Sequence, residues 1–320
     1  MPSITVHSTH ETAAGRAYGS EEDFWRVRRL LLETYPISPA EFNWEVRRWD
    51  GARFHNADAA FDPWWEGRVR LWETGGGRLV GAVHPDGPGE LALQVHPDYR
   101  HLEPEMVAWA EEHLFKASPD GARHGLSCFV YEYDPWRQRL LQDRGWVRTE
   151  EWGLFRRLRF GRKAIPLVRM PAGYTLRSAR ADDPAEHEAF AALLNAAFGR
   201  TFHNAEQNRL FRAAAPSYRA DLDLFAVAAD GALAANVGVI YVPEWRAGLF
   251  EPVCTHPGHR QKGLARMLMW EGMHRLRALG ATEVTVATGD MAPANALYDS
   301  VGFPEVYRGY TWHKVWPASG

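Results

Sequence analysis

The residues best suited to chemistry form one short run, Arg260-Gln261-Lys262-Gly263-Leu264-Ala265. It lies between a strand-like segment ending at Thr255 and a helical pattern. In that pattern Leu264, Leu268, Met269, Met273, Leu276 and Leu279 form one apolar stripe, closed by Gly280. The start of a helix offers unpaired N–H groups and a partial positive charge, which suits a pyrophosphate. Gly263 has no Cβ, so an anion can come close to the backbone, and Ala265 is the next smallest choice on the same turn. Arg260, Lys262 and Arg266 add positive charge around it. A solvated basic helix start carrying an incidental glycine would read the same way.

Two other segments accompany the run. Val253-Cys254-Thr255-His256-Pro257 precedes it, and Asn295-Ala296-Leu297-Tyr298-Asp299-Ser300-Val301-Gly302-Phe303 comes after it. Together the three resemble the GNAT acyltransferase superfamily, whose phosphate motif Arg/Gln-x-x-Gly-x-Gly/Ala is matched in full by Arg260 to Ala265. The resemblance is strong over residues 174–312 and faint before them. It implies an acyl-CoA-dependent N-acyltransferase, with acetyl-CoA as donor, a small-molecule amine as acceptor and direct transfer between them. It also implies that Arg260, Gln261, Lys262, Gly263, Leu264, Ala265 and Arg266 hold the pyrophosphate. The pantetheine arm would pair with Val253, Cys254 and Thr255, and Asn295 would bond its amides. Tyr298 would protonate the departing thiolate, and Glu251 would deprotonate the amine through water, with His256 and His203 as weaker substitutes. The proton transfer is reasonable, because a phenol of pKa about 10 can donate to a thiolate whose acid lies near about 8.5. Cys254 reads as a small core residue and not a nucleophile. The segment Gly199 to Ser217, with Phe202, His203 and Phe211, would cover the acceptor.

These residues need elements to hold them. Tyr174-Thr175-Leu176-Arg177 alternates like a strand, and Asp182, Asp183 and Pro184 open a helix that Gly199 closes. Strand-like runs come next at 224–228, 234–240 and 248–255, then the long helix and a strand at 283–288. Pro252 removes a ladder N–H, so the strand containing it is expected to be bulged or splayed there, leaving backbone groups free. A nearby N–H, that of Val253, could then polarise a thioester carbonyl. The order predicts an α/β fold with a mixed sheet (α+β in character) in each half.

The halves echo each other. His96-Pro97-Asp98-Tyr99-Arg100 matches His256-Pro257-Gly258-His259-Arg260, and Leu140 to Trp146 matches Leu297 to Phe303 in the same order. Two tandem GNAT-like domains are therefore expected, residues 1–165 and 166–320, divided in the Pro- and Gly-bearing stretch 161–173. In the first, Glu103 and Glu105 stand where the motif needs small residues, and Leu141 stands at the tyrosine position. Two carboxylates would repel a pyrophosphate, so this half reads as a degenerate, non-catalytic copy. Ten of the fourteen tryptophans lie there, which suits an aromatic core; Trp44, Trp49, Trp64 and Trp65 could instead line an acceptor cleft.

The formal net charge of −3 gives no basic footprint for nucleic acid and no polybasic membrane anchor. The opening MPSITVHSTHETAAGR has no apolar core for a secretory signal, and no apolar run approaches a membrane span. Cys128 and Cys254 lack metal-ligand spacing and read as reduced thiols, so a cytoplasmic protein without metal is expected, as monomer or homodimer. Two rival functions stay open: transfer from aminoacyl-tRNA on the same fold, and a non-enzymatic coenzyme A-binding or scaffold protein.

Overall fold

The computed structural model describes residues 12–56, 65, 67–162 and 164–318; Trp64 and most of the opening stretch therefore lie outside the described residues. The chain forms two compact units, residues 1–49, 61–155 and 307–320 in the first and residues 50–60 and 156–306 in the second. The chain passes from the first unit into the long segment of the second at 155/156, and its end returns to the first unit.

The first unit runs β1 (Ala13–Ala17), α1 (Glu21–Thr34), α2 (Val46–Phe54, shared with the second unit), β2 (Arg70–Thr74), β3 (Leu79–Gly87) and β4 (Glu90–Val95). Then come α3 (Glu103–His113), a two-residue β5 (Lys116–Ala117), β6 (Arg123–Tyr131), α4 (Pro135–Asp143) and β7 (Val147–Arg159), whose last residues belong to the second unit. The acidic first turn of α1 complements its N-terminus, and Phe24, Val27, Leu30 and Leu31 bury one face. Strand β13 (Glu305–Pro317) explains the returning chain end. It pairs antiparallel with β6 from Gly309↔Tyr131 to Pro317↔Arg123, and Trp312 joins the core of the first unit.

In the second unit β8 (Tyr174–Ser178) and α5 (Pro184–Phe198) come first. The Asp183 side chain caps α5 by accepting from Ala185 N–H at 3.0 Å, and Gly199 ends the helix. Next are α6 (Ala205–Ala214), β9 (Asp223–Ala228), β10 (Leu233–Val242), β11 (Ala247–Thr255), α7 (Leu264–Ala278), β12 (Glu283–Gly289) and α8 (Ala292–Val301). Strand order is β7 (its tail), β12, β11, β10, β9, β8. The apolar stripe of α7 packs on Val237, Val239, Phe250, Val284 and Val286, and so fixes the helix against the strands on either side of it in the chain. Among the described residues no helix is long and apolar enough to cross a membrane.

Strand β11 is irregular along both of its edges. Its register with β10 shifts between Val237↔Val253 and Val239↔Phe250, so Glu251 and Pro252 bulge opposite Gly238. Only glycine fits at 238, since a Cβ would lie 2.4 Å from the Glu251 carbonyl oxygen. On its other side β11 pairs with β12 in parallel only at Ala247, Gly248 and Leu249. From Phe250 onward the two strands part.

Candidate functional site

The site assembles where β11 leaves β12. Past Leu249 the β12-facing edge of β11 has no ladder partner among the described residues, so Val253, Cys254 and Thr255 are paired on the β10 side alone. The bulge expected at Pro252 is present. Cys254 is buried among Phe190, Leu193, Leu194 and Phe225, and burial pushes its thiol up to about 12, so it stays a neutral core group.

Beyond Thr255 the chain turns through Pro257–His259, where His256 Nδ1 accepts from Gly258 N–H at 3.1 Å. Gln261 (φ 60°) and Gly263 (φ 74°) are both left-handed. For Gln261 that conformation costs about 1–2 kcal/mol, and it persists in the very loop whose residue types suit an anion. Gly263 is the N-cap of α7 and supplies no side-chain cap, leaving the N–H groups that open the helix, from Leu264 onward, without one. A Cβ on Gly263 would meet only Arg266 Nη2, at 3.7 Å, so the loop is open on that side and has a guanidinium beside it. Arg266 stacks on Trp270, while Arg260 donates to Ala197 O at 2.9 Å and so reaches toward the end of α5. Lys262 is held by a partner that no sequence motif signals: its Nζ donates to Tyr174 Oη at 2.8 Å, and the same hydroxyl is hydrogen-bonded to His259 Nδ1 at 2.9 Å.

Beyond β12 in the chain, α8 carries Asn295 and Tyr298. Asn295 donates Nδ2–H to Gly289 O at 3.2 Å and accepts from Arg156 Nη2 at 3.3 Å. Tyr298 is buried against Phe303, and its hydroxyl has no hydrogen-bond partner among the described residues. Burial raises its pKa, the Glu251 carboxylate raises it further, and Arg156 opposes both. Glu251 and Tyr298 are therefore electrostatic neighbours, and Glu251 is exposed at the bulge. Of the two substitute bases, His256 has its Nδ1 engaged by Gly258. His203 is anchored through its backbone by Asn195 and has a buried, unpartnered Nε2; burial, and then Arg200, lower its pKa. In the expected acceptor cover Phe211 is buried and stacks on His55, whereas Phe202 is exposed.

The first unit has the same frame with different contents. Its β4 and β6 pair in parallel only at Glu90↔Ser127 and Leu91↔Cys128 before parting. Glu103 does not face out to repel an anion. It is fully buried as the first residue of α3, accepting from Arg100 Nε at 2.6 Å and Arg137 Nε at 2.9 Å. Burial alone would raise its pKa, but the two guanidiniums hold it below the usual carboxylate range. Arg100 also binds Asp134. On the parted edge, Asn43 takes both backbone groups of Val95, at 2.9 and 3.0 Å. Leu141 is in the core. Trp44, Trp49 and Trp65 pack around His84, which burial holds neutral, its pKa lowered to about 3.

Residues 187–303 match the model of the Acetyltransferase (GNAT) family. The chain is 29% identical over 260 residues to a mycothiol acetyltransferase of Nocardioides sp., covering 74% of this chain and 82% of that protein. Among solved structures it resembles a tandem GNAT protein from the clavulanic acid biosynthesis pathway, at 21% identity and TM-score 0.65, over 96% of this chain and 99% of that one. It also resembles a GCN5-related N-acetyltransferase from Sphaerobacter thermophilus, at 20% identity and TM-score 0.63, over 96% and 97%. At such identities these structures establish a shared fold.

Proposed function

Because the chain belongs to the GNAT superfamily, with two tandem units, we propose that its second unit transfers an acetyl group from acetyl-CoA to the nitrogen of a small-molecule amine. The observation that carries this reading is the coincidence, at one splayed strand, of an uncapped glycine-started helix, an unengaged hydroxyl on a buried tyrosine and an exposed carboxylate. The residues fit the coenzyme. The N–H groups opening α7, with Arg266 and Lys262, would hold the pyrophosphate. The open edge at Val253 to Thr255 and the Asn295 amide would hold the pantetheine. Bound acetyl-CoA supplies an activated thioester carbonyl. Val253 N–H donates to that carbonyl oxygen, Glu251 accepts the proton of the amine through water, and Tyr298 gives its proton to the departing sulfur. No base is needed from Cys254.

The first unit is a non-catalytic copy. In it Glu103 sits at the glycine position of the phosphate loop and is satisfied there by Arg100 and Arg137, and no phenol stands at position 141.

The test is a panel of amines assayed for thiol release from acetyl-CoA with the purified chain. Resemblance to a mycothiol acetyltransferase puts amines of that class on the panel. Amine-dependent release, abolished by Gly263→Glu, is the expected result. Tight acetyl-CoA binding with release at the hydrolysis background for every amine would favour a coenzyme-binding role without N-acyl transfer.

A further inference from the structure

Arg156 stands on the second-unit tail of β7, and neither the motifs nor the family resemblance assigns it a role. Its side chain is 5% exposed. Nη1 donates to Asp299 Oδ1 at 2.6 Å and Nη2 to Asn295 Oδ1 at 3.3 Å, while the buried Nε–H has no acceptor among the described residues. Asn295, Tyr298 and Asp299 are spaced i, i+3, i+4, so the guanidinium lies along the face of α8 that carries the tyrosine.

One feature distinguishes Arg156 from an arginine kept for stability. Its carboxylate partner Asp299 is 67% exposed, and an ion pair to so exposed a partner adds little stability.

We propose that Arg156 is a positioning residue for acyl transfer, orienting the Asn295 amide and keeping a fixed positive charge beside Tyr298. The proposal rests on the reading of Tyr298 as proton donor. A guanidinium offers only donors, so the Asn295 oxygen must face it. The Nδ2–H groups are then left for an acceptor, Gly289 O here and a pantetheine carbonyl in the complex. At Tyr298 the O–H bond breaks as the S–H bond forms. The electron pair stays on the phenol oxygen, where the cation stabilises it until water returns a proton. Arg156 also counters the Glu251 carboxylate, which disfavours that same phenolate.

Two double-mutant cycles in the full chain test this. The first reads kcat for Arg156→Met, Tyr298→Phe and the double variant, with acetyl-CoA and an accepted amine. Arg156→Met should lower kcat roughly tenfold or more, and add no further loss in the Tyr298→Phe background. The second reads coenzyme A binding by calorimetry for Arg156→Met, Asn295→Ala and their combination. Arg156→Met should weaken binding about threefold to tenfold, and again add nothing once Asn295 is gone. Arg156→Lys, which keeps the charge without the fork, should recover part of kcat but not the binding. It carries both cycles if Arg156→Met does not fold. Losses that multiply in both cycles, or wild-type kcat and binding in Arg156→Met, would overturn the proposal. If Tyr298→Phe alone keeps full kcat, the proton-donor reading fails and this proposal with it. If Tyr298→Phe is impaired but the losses multiply, only the role of Arg156 fails.

Discussion

Replacing Gly263 by glutamate gives the second unit the residue that the first carries at 103. The structure separates two costs. Gly263 has φ 74°, and a left-handed L-residue costs about 1–2 kcal/mol. A carboxylate beside the N-terminus of α7 returns about 0.3–1 kcal/mol, leaving a net loss near 1 kcal/mol. For a unit of this size that lowers the midpoint of thermal unfolding by only about 2–4 °C. Binding suffers far more. Losing two charge-assisted hydrogen bonds to the pyrophosphate, at about 1.5–3 kcal/mol each, removes about 3–6 kcal/mol. The dissociation constant for acetyl-CoA should then rise roughly 10²- to 10⁴-fold. Gly263→Ala carries the same backbone strain without the charge and should fall between wild type and the glutamate variant. Calorimetric titration with acetyl-CoA, beside a melting curve, reads both quantities. If Gly263→Glu bound acetyl-CoA within about threefold of wild type, the loop would not be the pyrophosphate seat.

Tyr298→Phe should lower kcat roughly 10²-fold with little change in KM. Since burial and the Glu251 charge raise the Tyr298 pKa, the wild-type rate should show no tyrosine-dependent fall below about pH 10. A pH–rate profile with an alkaline limb that Tyr298→Phe abolishes below that point would contradict this. Glu103→Gln should destabilise the first unit by about 3–5 kcal/mol, because Arg100 and Arg137 are left with Asp134 alone. The folded pKa of Glu103 lies below its unfolded value, so its contribution is present at neutral pH and is lost as pH falls through the folded value. Unfolding curves of the two proteins should therefore converge in acid, and a constant gap would refute the assignment. Gly238→Ala should cost about 1–3 kcal/mol and displace the bulge, so activity should fall more than stability does.

What the sequence made legible was local. The turn from Arg260 to Ala265, the stripe on α7, the cap at Asp183 and the bulge at Pro252 each depend on neighbours a few residues away. Features built from distant pairs left no trace. Arg156 meets Asn295 and Asp299 across more than a hundred positions, and Tyr174 reaches Lys262 and His259 from the start of the unit. Glu103 read as a repulsive charge even with Arg100 three residues away, because neither its burial nor its second partner Arg137, 34 positions on, shows in the sequence. Strand pairing was equally silent: nothing in the sequence of β13 names β6 as its neighbour.

That choice of neighbour has a consequence for inheritance. The last strand of the chain completes the first unit, and the tail of β7, with Arg156, belongs to the second. A gene cut at the linker would release two incomplete products. One would lack Arg156, and the other would expose a row of unpaired backbone groups along β6. Side chains in the two copies remain free to drift apart, as Glu103 and Gly263 have done. The copies themselves can only be passed on together.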